Sequence, residues 1–423
     1  MVPHLTTALS GPLLELERHI LGAMPTIEQW LRVQWQENNA PFYASVDLRN
    51  SGFKLAPVDT NLFPGGFNNL NPDLAPLSVQ AAMSAVEKIC PAASRFLLIP
   101  ENHTRNTFYL QNVATLQYLL RQAGLEVRIG TMIPEIAEPT RFSGSSSRLP
   151  PSGRSSRVGE RLQLEDYDPC AILLNNDLSA GIPDILKGLK QYVIPPLHAG
   201  WSNRRKSNHF RAYDAVAEEF AEKLDFDPWL INPYFATCQG ISFQDRLGEE
   251  CLADHVDCLL QKIRVKYQEY GISHKPYVVI KADAGTYGMG IMTVKDAAEI
   301  RNLNRKQRNK MAIIKEGQKV SDVILQEGVH TFESINGAVA EPVVYMIDHF
   351  VVGGFYRVHT GRGHDENLNS PGMSFVPLAF ETCCSLPDPS INVEAPPNRF
   401  YAYGVLGRLA LLAAAKELES GEP

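Results

Sequence analysis

The segment 277–292 constrains the fold of this 423-residue chain more than any other part of it. Its β-branched residues predict a buried strand that ends in Lys281, and the loop that follows contains Gly285, Gly288 and Gly290. Glycines permit positive φ and let backbone N–H groups approach phosphate oxygens, and a lysine at the strand end supplies a positive charge. The loop has neither the ending of a Walker A loop nor the spacing of a dinucleotide-binding loop. It predicts a phosphate site with a glycine-rich lid, and a plain glycine hairpin is the alternative.

Two further segments fit a site for a nucleoside triphosphate. An apolar strand ends in Gln326 and Glu327 and is followed by Val329, and Lys206 opens a predicted helix well before Lys281. In this order the elements resemble the nucleotide site of ATP-grasp enzymes. The resemblance implies that Lys206 and Lys281 face the phosphates of ATP. It also implies that Gln326, Glu327 and Val329 lie at the adenine edge.

An acidic-x-Asn pattern that suits a metal ion occurs early in the chain, at Asp59 and Asn61. Both residues fall on a predicted strand, so their side chains point to the same face. Mg²⁺ prefers oxygen ligands and usually takes one or two carboxylates together with phosphate oxygens. We identify no such pattern on a late strand. The pair therefore predicts a Mg²⁺ site, and a turn capped by the two side chains before Pro64 is the alternative.

The early position of this pattern resembles eukaryotic glutathione synthetase, a circularly permuted ATP-grasp enzyme. The resemblance implies a third metal carboxylate at Asp283. It also implies substrate-binding roles for Asp47, Arg49, Asn106, Gln111 and Arg357. Lys281, Arg357 and Arg49 are the residues that it implies for catalysis. The arginines could instead pair with surface carboxylates, and Asn106 and Gln111 could be exposed helix positions.

The chain as a whole most closely resembles the proteobacterial-type glutamate–cysteine ligase, most specifically over segments 46–70 and 281–294. The resemblance implies that ATP and Mg²⁺ drive ligation of the γ-carboxylate of L-glutamate to the amine of L-cysteine, the first step of glutathione biosynthesis. A carboxylate is a poor electrophile, so a γ-glutamyl phosphate is the expected intermediate. A glutathione synthetase or another ATP-grasp carboxylate–amine ligase is one alternative. A non-catalytic nucleotide-binding relative is the other.

Composition excludes several other classes of protein. The formal net charge of −7 disfavours a nucleic-acid-binding protein. The N-terminal residues lack the basic region and apolar core that are typical of a signal peptide. The apolar stretch 405–412 is too short for a membrane span, so it predicts a buried helix. The seven cysteines include no CxxC pair, so neither a disulfide framework nor a zinc site is expected. These features predict a cytoplasmic enzyme.

The order of predicted elements indicates a mixed α/β (α+β) fold, which the resemblance makes a circularly permuted ATP-grasp fold with an α/β substrate-binding domain. Region 1–90 supplies N-terminal helices and the metal and substrate strands. Region 91–200 is the α/β substrate-binding domain, with a mobile loop at 141–161 that is rich in serine, glycine, proline and arginine. Region 201–423 is the nucleotide-binding region with the glycine-rich lid.

Overall fold

A computed structural model describes residues 5–7, 11–102, 106–133, 153–284, 290–312, 320–378 and 400–421. The helices of these residues are α1 (Pro12–Gly22), α2 (Met24–Glu37), α3 (Ala75–Ile89), α4 (Thr107–Gln122), α5 (Lys206–Leu224), α6 (Glu249–Glu269), α7 (Ala298–Arg301), α8 (Arg305–Ala312) and α9 (Phe400–Ser420). The strands are β1 (Leu5–Thr6), β2 (Tyr43–Asn50), β3 (Leu55–Asn61), β4 (Arg95–Pro100), β5 (Glu126–Thr131), β6 (Gly153–Arg154), β7 (Ser156–Val158), β8 (Arg161–Gln163), β9 (Ala171–Asn175), β10 (Tyr192–Ile194), β11 (Phe235–Cys238), β12 (Val278–Ala282), β13 (Ile291–Val294), β14 (Val323–Glu327), β15 (Ser334–Ile335), β16 (Ala338–Ile347), β17 (Phe350–His359) and β18 (Ser374–Pro377).

The first sheet is antiparallel and is centred on the hairpin of β16 and β17. Its order is β1-β15-β16-β17-β18, and β2 pairs with both β16 and β3. Because side chains alternate along a strand, Val344 and Met346 lie in the core that contains α9, whereas Val343, Tyr345 and Ile347 lie in the core that contains α3. The sheet is therefore covered on both faces, and its central strands β16 and β17 are almost continuously buried.

The second sheet is a five-stranded sheet in the order β10-β9-β4-β5-β6, with its strands parallel. The unit of β4, α4 and β5 is a strand–helix–strand within the predicted α/β region 91–200. Gly124, at φ 88°, follows α4 in the left-handed conformation, and the N–H of Leu125 returns to the carbonyl of Leu120. This is the usual glycine-terminated end of a helix.

The third sheet is antiparallel, in the order β11-β14-β12-β13, and helix α6 packs on it. Along β12, Val278 and Ile280 lie in the core beneath α6, whereas Val279 and Lys281 point to the opposite face. Alternation thus places the lysine at the end of the strand on an open face of the sheet.

The buried helix predicted over 405–412 is confirmed as part of α9, and β16 and β17 form a hairpin. Within the segment 141–161, Gly153–Arg154 and Ser156–Val158 form β6 and β7, which pair with β5 and β8, and the mobility of this segment stays a prediction. Its earlier part lies outside the described residues. The division into regions 1–90, 91–200 and 201–423 stays a prediction. Within the described residues, no helix has the length and apolar character to cross a bilayer.

Candidate active site

One cavity is lined by residues of both the first and the third sheet. Along β2, Asp47 and Arg49 line it, whereas Val46 and Leu48 lie in the core with α9. The residues predicted from the sequence that line this cavity are Asp47, Arg49, Asp59, Lys206, Lys281, Gln326, Glu327 and Val329. The structure thus brings together segments that lie far apart in the chain.

Lys281 lies at the centre of this group. Its Nζ donates to the carbonyl of Val58 at 2.7 Å and to Oε1 of Gln326 at 2.9 Å. Burial is the main cause that lowers the pKa of the Lys281 ammonium; Asp59 opposes it and the charge of Lys206 adds to it, and the net pKa is about 8. Both hydrogen-bond acceptors are neutral, so the positive charge of Lys281 remains available to an anion.

Asp59 and Lys206 form an ion pair in the same cavity, with Nζ 3.2 Å from Oδ1. Burial tends to raise the pKa of Asp59, but the charges of Lys206 and Lys281 outweigh it and hold the pKa at about 2. Lys206 also lies 3.8 Å from the ring centroid of Trp201. The site therefore holds an ionised carboxylate beside two lysines.

The two other predicted metal ligands, Asn61 and Asp283, are not among the cavity-lining residues. Oδ1 of Asn61 accepts from the N–H of Phe63 at 2.9 Å, which is the turn-capping contact. Both carboxylate oxygens of Asp283 accept from Ser207, one from its N–H at 2.8 Å and one from its hydroxyl at 2.7 Å. Asp283 thereby caps the start of α5. These contacts do not support metal ligation by either residue.

The two predicted arginines belong to one cluster with two carboxylates. Arg357 donates to Oδ2 of Asp47 at 2.8 Å and to Oε1 of Glu341 at 2.6 Å, and Arg49 donates to Oε2 of Glu341 at 3.1 Å. Burial raises the pKa of Asp47, against the effect of Arg357. Arg357 does not line the cavity, so it lies behind Asp47 and Glu341, which do.

Arg49 also forms hydrogen bonds with three other segments of the chain. Its NH1 donates to the carbonyl of Val329 at 3.2 Å and to the hydroxyl of Tyr277 at 3.2 Å, and its NH2 donates to the carbonyl of Glu366 at 2.5 Å. The alternative of pairing with a surface carboxylate is wrong for Arg49, because its partner Glu341 is buried.

The end of β14 is fixed by a buried ion pair. The carboxylate of Glu327 accepts from Lys54 Nζ at 2.8 Å, from Trp229 Nε1 at 3.1 Å and from the N–H of Tyr234 at 3.0 Å. Lys54 is 0% exposed, and burial lowers its pKa to about 8 despite the carboxylate beside it. The side chain of Glu327 is therefore fully used within the protein, and its backbone N–H donates to the carbonyl of Tyr234 at 2.7 Å.

Three predicted positions lie away from the cavity walls. Asn106 is the N-cap of α4, where Oδ1 accepts from the N–H of Tyr109 at 3.2 Å, and Gln111 lies on that helix. Gly290, at φ 63°, ends the glycine-rich loop. Gly285 and Gly288 lie outside the described residues.

Sequence reasoning missed several cavity residues: Glu341, Asp365, Glu366, Asn367 and Asn369. The last four follow β17, and Asp365 forms an ion pair with Lys295. A signal existed, because Asp365-Glu366-Asn367 is itself an acidic-x-Asn pattern. It lies in a loop and not on a strand, so the alternation of strand side chains does not mark it as a metal site.

Comparison with known proteins gives one strong family match. Residues 17–418 match the family model GshA, glutamate-cysteine ligase. A solved structure from Methylobacillus flagellatus KT, assigned as a gamma-glutamylcysteine synthetase, is 68% identical over 100% of both chains, with a TM-score of 0.92. No curated protein matches the chain significantly.

Two further solved structures are only weakly similar. A glutathione synthetase-like effector from Globodera pallida is 10% identical over 86% of this chain and 79% of its own, with a TM-score of 0.38. A D-alanyl-alanine synthetase A from Vibrio cholerae is 10% identical over 75% of this chain and 81% of its own, with a TM-score of 0.35. Likeness at this level carries no argument about site residues.

Proposed function

The chain belongs to the glutamate-cysteine ligase family, and we propose that the cavity described above is where it joins L-glutamate to L-cysteine with ATP. In this proposal γ-glutamyl phosphate is the intermediate. The fold is a circularly permuted ATP-grasp fold, and the enzyme acts in the cytoplasm. The observation that carries this proposal is the meeting of Lys206, Lys281 and Asp59 beside the cluster of Arg49 and Asp47. Phosphoryl transfer to a carboxylate requires this combination of positive charge for phosphates and polar groups for an amino acid.

The two lysines supply the fixed positive charge for the triphosphate. An anionic phosphate beside Lys281 raises the pKa of its ammonium, so the lysine takes up or retains its proton when the nucleotide binds. Lys206 is held at the first turn of α5, where the carboxylate of Asp283 caps the helix. Asp283 therefore supports the position of Lys206 without contacting the ligand.

The donor set fits a hard divalent cation such as Mg²⁺. Asp59 is ionised, and the loop after β17 adds the oxygen-bearing side chains of Asp365, Glu366, Asn367 and Asn369 to the same cavity. Oxygen-only sets of this kind favour Mg²⁺ over softer transition metals. When bound, the ion neutralises negative charge on the triphosphate. Asp59 is the residue that we assign most directly to it.

The cluster of Asp47, Glu341 and the two arginines positions the amino-acid substrates. Asp47 is the group in this cluster best suited to accept the ammonium of a substrate, because it lines the cavity. The positive charge of that ammonium would favour the ionised form of Asp47. Arg357 holds Asp47 in place, since two of its nitrogens contact the two carboxylate oxygens at 2.8 Å and 3.3 Å. Nε of Arg357 is buried and has no hydrogen-bond partner among the described residues, so it could contact a substrate carboxylate while the two contacts to Asp47 are kept.

Replacement of Lys281 tests this proposal. In Lys281→Ala, ADP formation should fall by at least about 100-fold, because a single preorganised charge or donor at a reacting group has an effect of this size. Lys275→Ala is the matched control, since Lys275 is an exposed lysine on the same segment that does not line the cavity. Unchanged turnover in Lys281→Ala, with a thermal unfolding curve like that of the wild type, would remove Lys281 from the site.

A further inference from the structure

A second group of potential ligands lies on the third sheet, away from the cavity. Cys238 ends the edge strand β11, and Cys251 and His255 are one turn apart on α6, which packs against that strand. Cys238 is buried, whereas Cys251 is exposed and His255 is half-buried. The group thus has a protein wall behind it and an open side toward solvent.

From this group we infer a binding site for a single thiophilic divalent ion of the Zn²⁺ type, held by Cys238, Cys251 and His255. One ligand atom from each residue lies within 4.8 Å of the other two. The two sulfur atoms are 3.4 Å apart. Around tetrahedral Zn²⁺, ligand atoms lie roughly 3.5 to 3.8 Å apart, given bonds of about 2.3 Å to sulfur and about 2.0 Å to nitrogen.

The chemistry of the donors selects the ion. Two thiolates and an imidazole favour Zn²⁺ and similar soft or borderline ions over Mg²⁺, which prefers oxygen. Nδ1 of His255 lies 3.6 Å from Sγ of Cys251 and 2.7 Å from the carbonyl oxygen of Cys251, to which it can donate when Nε2 is the metal-binding nitrogen. Metal-ligating histidines commonly donate their other ring nitrogen to a carbonyl in this way.

A disulfide fits the geometry less well. The S–S bond is about 2.05 Å long, so the two sulfur atoms would have to approach by more than 1 Å. Binding of one M²⁺ replaces two S–H protons with two metal–sulfur bonds and releases both protons to solvent.

The site joins the end of β11 to α6. β11 pairs with β14, the strand of Gln326, and Cys238 lies opposite Val323. The ion would therefore stabilise the edge strand of the third sheet. Its bound form should therefore resist unfolding more than the ion-free form. This inference does not depend on the proposed function of the cavity.

Zn²⁺ and Co²⁺ titrations of the reduced, chelator-treated full chain test the site. Excess Mg²⁺ is present throughout, so that oxygen ligands in the cavity are occupied. The wild type should bind one ion per chain, release about two protons per ion and show thiolate-to-Co²⁺ charge-transfer absorption. Cys251→Ser and His255→Ala should each weaken Zn²⁺ binding by at least about tenfold.

Cys258→Ser is the matched control, because Cys258 is another exposed cysteine of α6 that is not part of the group. It should leave affinity, proton release and the rise in melting temperature with Zn²⁺ unchanged. Equal Zn²⁺ affinity in the wild type and Cys251→Ser would overturn the inference. So would a wild type that binds no ion but forms a disulfide between Cys238 and Cys251 under mild oxidation.

Discussion

At the scale of single residues, Lys281 is a half-buried lysine that no carboxylate of the described residues contacts directly. Its hydrogen-bond acceptors are a backbone carbonyl and an amide oxygen, and its pKa is lowered to about 8. Below that pH the lysine is protonated and attracts phosphate, whereas above it the lysine is neutral. The residue therefore makes nucleotide binding sensitive to pH in a range where most lysines do not titrate.

ATP affinity should weaken by about tenfold between about pH 7 and about pH 9, because the free protein loses the Lys281 proton over that range while the bound form retains it. Isothermal titration calorimetry with Mg²⁺-ATP measures this change. Lys281→Met is the control, and it should bind more weakly with no such step. A step of the same size in Lys281→Met would assign the titration to another group, of which Lys54 is the first candidate.

At the scale of elements, the turn between β2 and β3 is fastened to the end of β14. Lys54 of that turn and Glu327 of β14 are both buried, so the first and third sheets are joined by one ion pair close to the cavity. Trp229 lies under the ammonium, 4.3 Å from the ring centroid, and also donates to the carboxylate. Lys54, Trp229 and Glu327 therefore all contact one another, and these contacts hold the end of β14 in place.

Lys54→Met should lower the free energy of unfolding by about 3–5 kcal/mol, because it leaves the Glu327 carboxylate buried without its counter-charge. Lys54→Met/Glu327→Gln should recover part of this loss, since the double change removes both charges. Urea unfolding of the two variants and the wild type checks the order. A single variant as stable as the wild type, or a double variant less stable than the single one, would contradict a paired role.

At the scale of the whole molecule, local sequence patterns predicted the helices and strands, whereas contacts between distant segments determine which residues line the cavity. Lys281 and Gln326 were predictable because a strand that ends in a polar residue before a glycine loop is a local signal. Glu341 and Lys54 carry no such signal, since their roles arise only when β16 pairs with β2 and when the β2–β3 turn meets β14.

The same limit explains the metal residues. Asp59 and Asn61 form one sequence pattern, yet the turn at Phe63 uses the side chain of Asn61, and α5 uses that of Asp283. A sequence pattern gives the type of side chain but not which neighbour already occupies its oxygens. The chain is thus a glutamate–cysteine ligase whose family and elements could be predicted, and whose cavity needed the three-dimensional arrangement.

The most direct test of the central claim is ADP release from Mg²⁺-ATP, with the product identified by mass. Substrates are supplied as L-glutamate alone, L-cysteine alone, both together, and γ-glutamylcysteine with glycine. We predict that full release requires glutamate and cysteine together and yields a product with the mass of γ-glutamylcysteine. Release that instead requires γ-glutamylcysteine and glycine, or no release with any combination, would contradict it.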